Sequence, residues 1–355
     1  MQSVTYILMV IAMFIKANFH KFTAALLSLA IVIVCIMLLI FSKECADGAF
    51  SGIEMCINVL IPSLFPFMAV SSFTVKSGIS DFLGKPFGKI MKSVFGLSPC
   101  FAPILLLSVL LYKNGNVGTE ECKRASMFMV CAGPGFLVSF IGMSIYNDKK
   151  IGIIMLCSQI LSVLITGIAN RIINRGKIFV TAKESNKIRL SLTKSLVEAV
   201  YDASKGMFSI CSFVIAFSAV AGILSTVLDD GFVKTAVLSI FEVCTGVKTA
   251  SSELPVWAVA FVAGFGGICV HFQIFSVLGN LKINKMIFFC YRIIQGILTA
   301  LFTYIGMLIF YDTKSVFSVG TVSGSSVYGG TAFSGIALTT LMICFLFLLK
   351  NYRNN

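Results

Sequence analysis

Charge is scarce in this chain: 12% of its 355 residues are Asp, Glu, Lys or Arg, about half the quarter typical of soluble domains. So few charges cannot cover an ordinary water-facing surface. Histidine is rarer still, with two in the chain. There is no His-Glu-x-x-His, Gly-x-Ser-x-Gly or Gly-x-x-x-x-Gly-Lys run, which removes the common signatures of metalloproteases, serine hydrolases and phosphate-loop enzymes. Without a long polar domain to hold a cofactor, neither an enzyme nor a cofactor is expected. The 12 cysteines are scattered singly, without the paired spacing of a disulfide framework or a metal site.

Apolar residues are abundant: 57% of the chain is hydrophobic and the mean hydropathy is +0.96. Together with the missing charge this identifies a polytopic membrane protein whose principal surroundings are a lipid bilayer. The formal net charge of +13 would suggest nucleic acid in a soluble chain. A membrane chain uses its basic residues for orientation first, so no nucleic-acid partner is expected. The apolar stretch Val4 to Ile15 is followed by Lys16 and a second apolar run, which reads as a retained segment rather than a cleaved signal.

A spanning helix needs about 20 apolar residues. Eight windows qualify: 22–41, 53–75, 125–146, 151–170, 206–228, 255–280, 286–310 and 332–349. The apolar stretches 99–112 and 232–247 are too short and run into polar, glycine-containing links. They read as re-entrant half-helices, short tilted spans being the alternative. With the N-terminus inside, this topology puts 21 basic residues inside and six outside, leaving Arg292 within a span. That is the asymmetry the positive-inside rule requires, and both termini fall on the cytoplasmic side.

Shifting the chain by 137 residues brings Ile160 to Ile168 over Ile297 to Ile305 and gives eight identities across the 38 positions from 131 to 168. The same shift carries 99–112 onto 236–249, overlapping the second short segment. Interrupted hydrophobic segments at corresponding positions point to a transporter site. One re-entrant segment plus three spans is an odd number of crossings per repeat, if each re-entrant segment returns to its own side, so the second repeat is inverted. The fold class expected is therefore all-α: a polytopic integral membrane protein with about eight spanning helices, two re-entrant half-helices and an inverted-topology internal repeat. The chain divides into a first segment with one span (1–49), repeat one (50–170), a basic cytoplasmic linker (171–205), inverted repeat two (206–310), and an outer Ser/Gly-rich loop with a last span (311–355).

Polar groups at membrane depth are costly, and each survivor is a functional candidate. Glu242, Thr245 and Gly246 lie in the second short segment; Gly266, Gly267, His271 and Gln273 follow a glycine-rich helix break. Gly133 and Pro134 break the equivalent helix of repeat one, and the 137 shift puts Pro134 opposite His271. Two crossed, broken helices would form one central substrate site. Arg292 is a candidate charge partner for an anion, snorkelling to the interface being its alternative. Gln159 and Gln295 add polar groups on adjoining spans.

The segments Ile61-Pro62-Ser63-Leu64-Phe65-Pro66-Phe67, Ala132-Gly133-Pro134-Gly135-Phe136, Leu196-Val197-Glu198-Ala199-Val200, Glu242-Val243-Cys244-Thr245-Gly246 and Gly264 to Gln273 resemble the sporulation integral membrane protein YlbJ family, also called SpoVV. That family is grouped with the nucleoside-transporter and FeoB Gate (nucleoside recognition) proteins. The likeness runs from about Phe50 to Tyr304. It implies a multi-pass protein of the cell membrane, in a sporulating cell the outer forespore membrane, that moves a small anionic solute, dipicolinic acid, toward the forespore. It also implies a site role for Ser108. Where the family reads Ser-Gly-Tyr-Pro, this chain has Ser108-Val109-Leu110-Leu111, which makes the repeat-one half more apolar. A nucleoside or other small-solute carrier of the Gate type, and a non-transporting membrane scaffold, are the alternatives.

Overall fold

The computed structural model describes residues 31–79, 118–174, 191–279 and 281–311, with Ala25, Ser28, Leu29, Val94, Phe95 and Leu97. The first short segment (99–112), Ser108, the Ser/Gly-rich loop, the last span (332–349) and the middle of the basic linker lie outside the described residues.

Within them the chain is helical. Helix α1 (Ile31–Ile40) precedes α2 (Ser42–Lys76), which runs 35 residues with a π-turn at Cys56–Leu60. Then come α3 (Thr119–Phe128), the π-wound α4 (Gly135–Ile145), α5 (Lys149–Ile173) and the 36-residue α6 (Leu192–Val227). The last five are α7 (Phe232–Phe241), α8 (Val243–Glu253), α9 (Val256–Phe265), α10 (Gly267–Leu278) and α11 (Lys285–Phe310).

Among the described residues five helical stretches are long and apolar enough to cross a bilayer: α2, α5, α6, the run Val256–Ser276 formed by α9 and α10, and α11. The expected window 125–146 is not one helix. It is interrupted between Phe128 and Pro134, where Gly133 and Pro134 do not continue a regular ladder. Many large apolar side chains point outward, Ile168, Ile172, Leu301, Ile305 and Leu308 among them. Such a surface suits lipid and not water.

Two antiparallel helix pairs organise the bundle. In the first, α2 lies along α6: Glu44 and Gly48 meet Gly222, Gly52 meets Ser218, Cys56 meets Cys211, and Lys76 reaches Glu198 and Asp202. The backbones touch where side chains are absent. A Cβ on Gly48 would sit 2.4 Å from the Ser218 carbonyl oxygen, and one on Gly222 would sit 2.5 Å from that of Glu44. Packing of this kind through small residues drives helix association in lipid.

In the second pair α5 opposes α11. Ile154 meets Gly306, the Ser162 hydroxyl donates to the Gln295 carbonyl at 3.0 Å, and Asn170 donates to the Tyr291 hydroxyl at 2.8 Å. Helices α3 and α9 are both ten residues long and begin 137 residues apart, and α5 and α11 end 137 apart. At one end of this pair Tyr311 donates to the Asp148 carboxylate; burial first, and that carboxylate second, push the phenol pKa above its ordinary value.

Candidate functional site

The second short segment is a helical hairpin, not a single half-helix followed by a link. Helices α7 and α8, each about 15 Å long, fold back on each other about the extended residue Glu242 (φ −138°, ψ 122°). The polar run Gly246-Val247-Lys248, expected as a connection, is the middle of α8. Gly246 is what lets the two helices touch: a Cβ there would lie 2.4 Å from the Ser239 Cα. Thr235 and Glu253 hydrogen-bond across the open end. Gly246→Ala is therefore expected to overpack the hairpin and cost about 1–3 kcal/mol, read as a lower thermal midpoint of the detergent-purified protein; an unchanged midpoint would mean that the hairpin is not packed this way.

Glu242 is fully buried and caps α8. Its two carboxylate oxygens accept separately, from the Cys244 N–H at 2.9 Å and the Thr245 N–H at 2.7 Å. These are two of the N–H groups that a helix start leaves without intrahelical partners. The side chain stands at the start of α8, the positive end of that helix's dipole. Thr245 thus serves the cap through its backbone, and the residue also lines a cavity between α2 and α6.

The glycine run breaks the next span as its composition suggests. Gly266 (φ +88°) ends α9 and Gly267 (φ +69°) begins α10, both in the left-handed region where a side chain is strained. A Cβ on Gly267 would stand 3.2 Å from the Val243 nitrogen, so the break presses against the hairpin tip beside Glu242. Val243, Cys244 and Cys269 share one apolar core with Phe136, Leu137 and Ile141 of α4. This brings the helix broken at Gly133 and Pro134 to the same centre. Gly133 caps the start of α4, its carbonyl accepting from Phe136 and Leu137, and Pro134 is the residue from which α4 departs.

His271 is fully buried among aromatic rings, edge-on to Phe265, Phe288 and Phe289 at centroid distances of 4.9, 5.5 and 4.8 Å. Among the described residues neither ring nitrogen has a hydrogen-bond partner. Gln273 is half-buried and donates to Cys269 Sγ one turn back at 3.3 Å, a bond within its own helix.

Arg292 neither snorkels nor faces an open space. It is 2% exposed, and its guanidinium donates to the carbonyls of Val130 and Gly264, the latter at 2.9 Å. Gln295, one turn on, donates to the Phe128 carbonyl and to the Thr166 hydroxyl. Phe128 and Val130 lie at the C-terminal end of α3, and Gly264 at that of α9. These are negative helix ends with free acceptors, where a cation is favoured. One helix, α11, thereby ties down both half-helix ends. Gln159 is also buried on α5, and neither of its amide atoms has a hydrogen-bond partner among the described residues.

Two basic residues outside the candidate set have buried or paired heads. Arg124 is 7% exposed and donates to Asn170 and to the Phe95 carbonyl. Lys76 pairs with two carboxylates on α6. No local pattern announces either, because their partners lie tens to more than a hundred residues away.

Long apolar helices, broken at buried polar residues and clothed in apolar side chains, define an α-helical integral membrane protein. The chain is similar to the sporulation integral membrane protein YlbJ of Bacillus subtilis (strain 168), at 23% identity over 309 residues that cover 72% of this chain and 76% of that protein. No protein-family model and no solved structure matches the chain.

Proposed function

We propose that the chain is a sporulation-associated membrane transporter that moves a small solute across the bilayer, with dipicolinic acid as the first candidate and the forespore as its destination. The observation that carries this reading is the convergence of helix breaks: the α7–α8 tip and the Gly266-Gly267 break touch, and the ends of α3 and α9 share one arginine. Interrupted helices meeting at depth are how secondary transporters build solute sites. The antiparallel packing of α5 on α11, whose ends lie 137 residues apart, supports an inverted repeat around that centre. Likeness to a protein named for sporulation supports the setting, and the sequence resemblance supports the solute.

Dipicolinate content of spores from a strain lacking this protein tests the solute directly. A marked loss is expected, and normal content would remove dipicolinate.

One observation favours a second reading. The cavity between α2 and α6, about 270 Å³, is lined by Glu44, Asp47 and hydroxyls, with no cationic side chain. Carboxylates repel a dianion, whereas hydroxyl-rich neutral solutes such as nucleosides hydrogen-bond well to such a wall. Uptake of labelled uridine into proteoliposomes without dipicolinate uptake would favour this Gate-type alternative.

A further inference from the structure

Four of the 12 cysteines that the sequence scatters singly come together in the structure: Cys56, Cys211, Cys244 and Cys269 pack in or against one apolar core. Two of them meet across a helix pair. Cys56 of α2 and Cys211 of α6 are 155 positions apart, yet the Cys56 Sγ lies 3.9 Å from the Cys211 carbonyl oxygen. The two thiols also interact directly with each other.

Their closeness follows from how tightly α2 and α6 run together. A Cβ on Gly52 would lie 3.0 Å from the Ile215 Cα; adding a C–C bond of about 1.5 Å puts the Gly52 and Ile215 Cα atoms within about 4.5 Å of each other. Cys56 is one turn further along α2, and Cys211 one turn back along α6. In an antiparallel pair these are the same step, so the cysteines occupy opposed positions beside the closest backbone contact. A disulfide needs Cα atoms about 4.4–6.8 Å apart and side chains directed at one another. Opposed residues one turn from such a contact are within that reach, and the Cys56 thiol already abuts its partner.

Depth decides which oxidant can act. Helices α2 and α6 run 35 and 36 residues, and both cysteines fall near the middle, roughly 20–30 Å along the helix from either end. Polar thiol reagents are costly to bring to that depth. Dioxygen is apolar and dissolves there.

We propose that Cys56 and Cys211 are an oxidisable pair, which dioxygen in the bilayer converts to a disulfide that staples α2 to α6. Two S–H bonds break and one S–S bond forms, and the two electrons and two protons pass to dioxygen as hydrogen peroxide. Cys211 is the half-buried member, where oxidation starts; Cys56 is 3% exposed and closes the bond. The bond joins residues already in contact, so the helices need not move to form it. The inference is independent of the transport reading.

Oxidation of the full-length protein in proteoliposomes tests it. Air and copper–phenanthroline are added, an apolar complex that carries electrons from membrane thiols to dioxygen. Remaining thiols are blocked with N-ethylmaleimide in denaturant, and the digested chain is read by mass spectrometry without reduction. A Cys56–Cys211 linked peptide is expected from the monomer band of a non-reducing gel. It disappears with dithiothreitol and exceeds every other cysteine pairing by roughly tenfold or more. Cys56→Ala and Cys211→Ser should each abolish it; if either variant does not fold, the reading on the unchanged protein decides alone. Two free thiols at these positions, a comparable yield of Cys56–Cys244 or Cys244–Cys269, or a link formed mainly between two chains overturns the proposal. No solute is needed, so a missing link leaves the solute reading standing, and absent uptake on the same vesicles counts against the solute reading alone.

Discussion

Glu242→Ala is expected to lower the stability of the protein by about 2–4 kcal/mol, read as the midpoint of thermal unfolding in detergent. An exposed N-cap is worth about 1 kcal/mol. This one is fully buried and serves two N–H groups at once. Removing the carboxylate leaves both donors at a depth where no water replaces it, so the desolvation cost of each is felt. Glu242→Gln separates the contributions. It keeps one acceptor for one N–H and turns an amide group toward the other, so about half the loss is expected. An alanine variant that melts with the wild type would mean that the cap contributes nothing. If glutamine matches wild-type stability but stops solute movement, the charge has a role beyond capping.

The same residue shows what was legible in the sequence. A carboxylate in a short apolar segment is costly without partners, and Glu242 has them in two backbone N–H donors. The helix after it was not legible. Gly246-Val247-Lys248 has the composition of a link, and it is helical because Glu242 satisfies the first turn and Gly246 fits against Ser239. Both causes are tertiary. The Gly266-Gly267 break was readable because positive φ is a property of glycine itself. His271 was readable as an oddity, but its aromatic surroundings were not: Phe288 and Phe289 belong to the next helix. Lys76 is one of 28 basic residues in the chain, and nothing beside it in the sequence sets it apart. Its carboxylate partners lie 122 and 126 positions on, and only the antiparallel course of α6 brings them to it.

Arg292→Met is the other variant with a large expected effect, a loss of about 3–5 kcal/mol. Arginine at this position holds two carbonyls, at Val130 and Gly264, that belong to the ends of different half-helices. The planar fork reaches both from one side chain. Methionine fills a similar volume but leaves both acceptors buried and bare, and it removes the cation facing two negative helix ends. Arg292→Lys keeps the charge and can serve one carbonyl at a time, so roughly half of that loss is expected. Gln295 grips the end of α3 beside the same arginine through the Phe128 carbonyl, and the two residues act on one segment. The double variant Arg292→Met, Gln295→Ala should therefore fall short of the sum of the single losses, by about 0.5–1 kcal/mol or more. Melting curves of the four proteins close this cycle. A methionine variant that unfolds at the wild-type temperature, yet binds solute more weakly, would move Arg292 from the frame of the site to its contents.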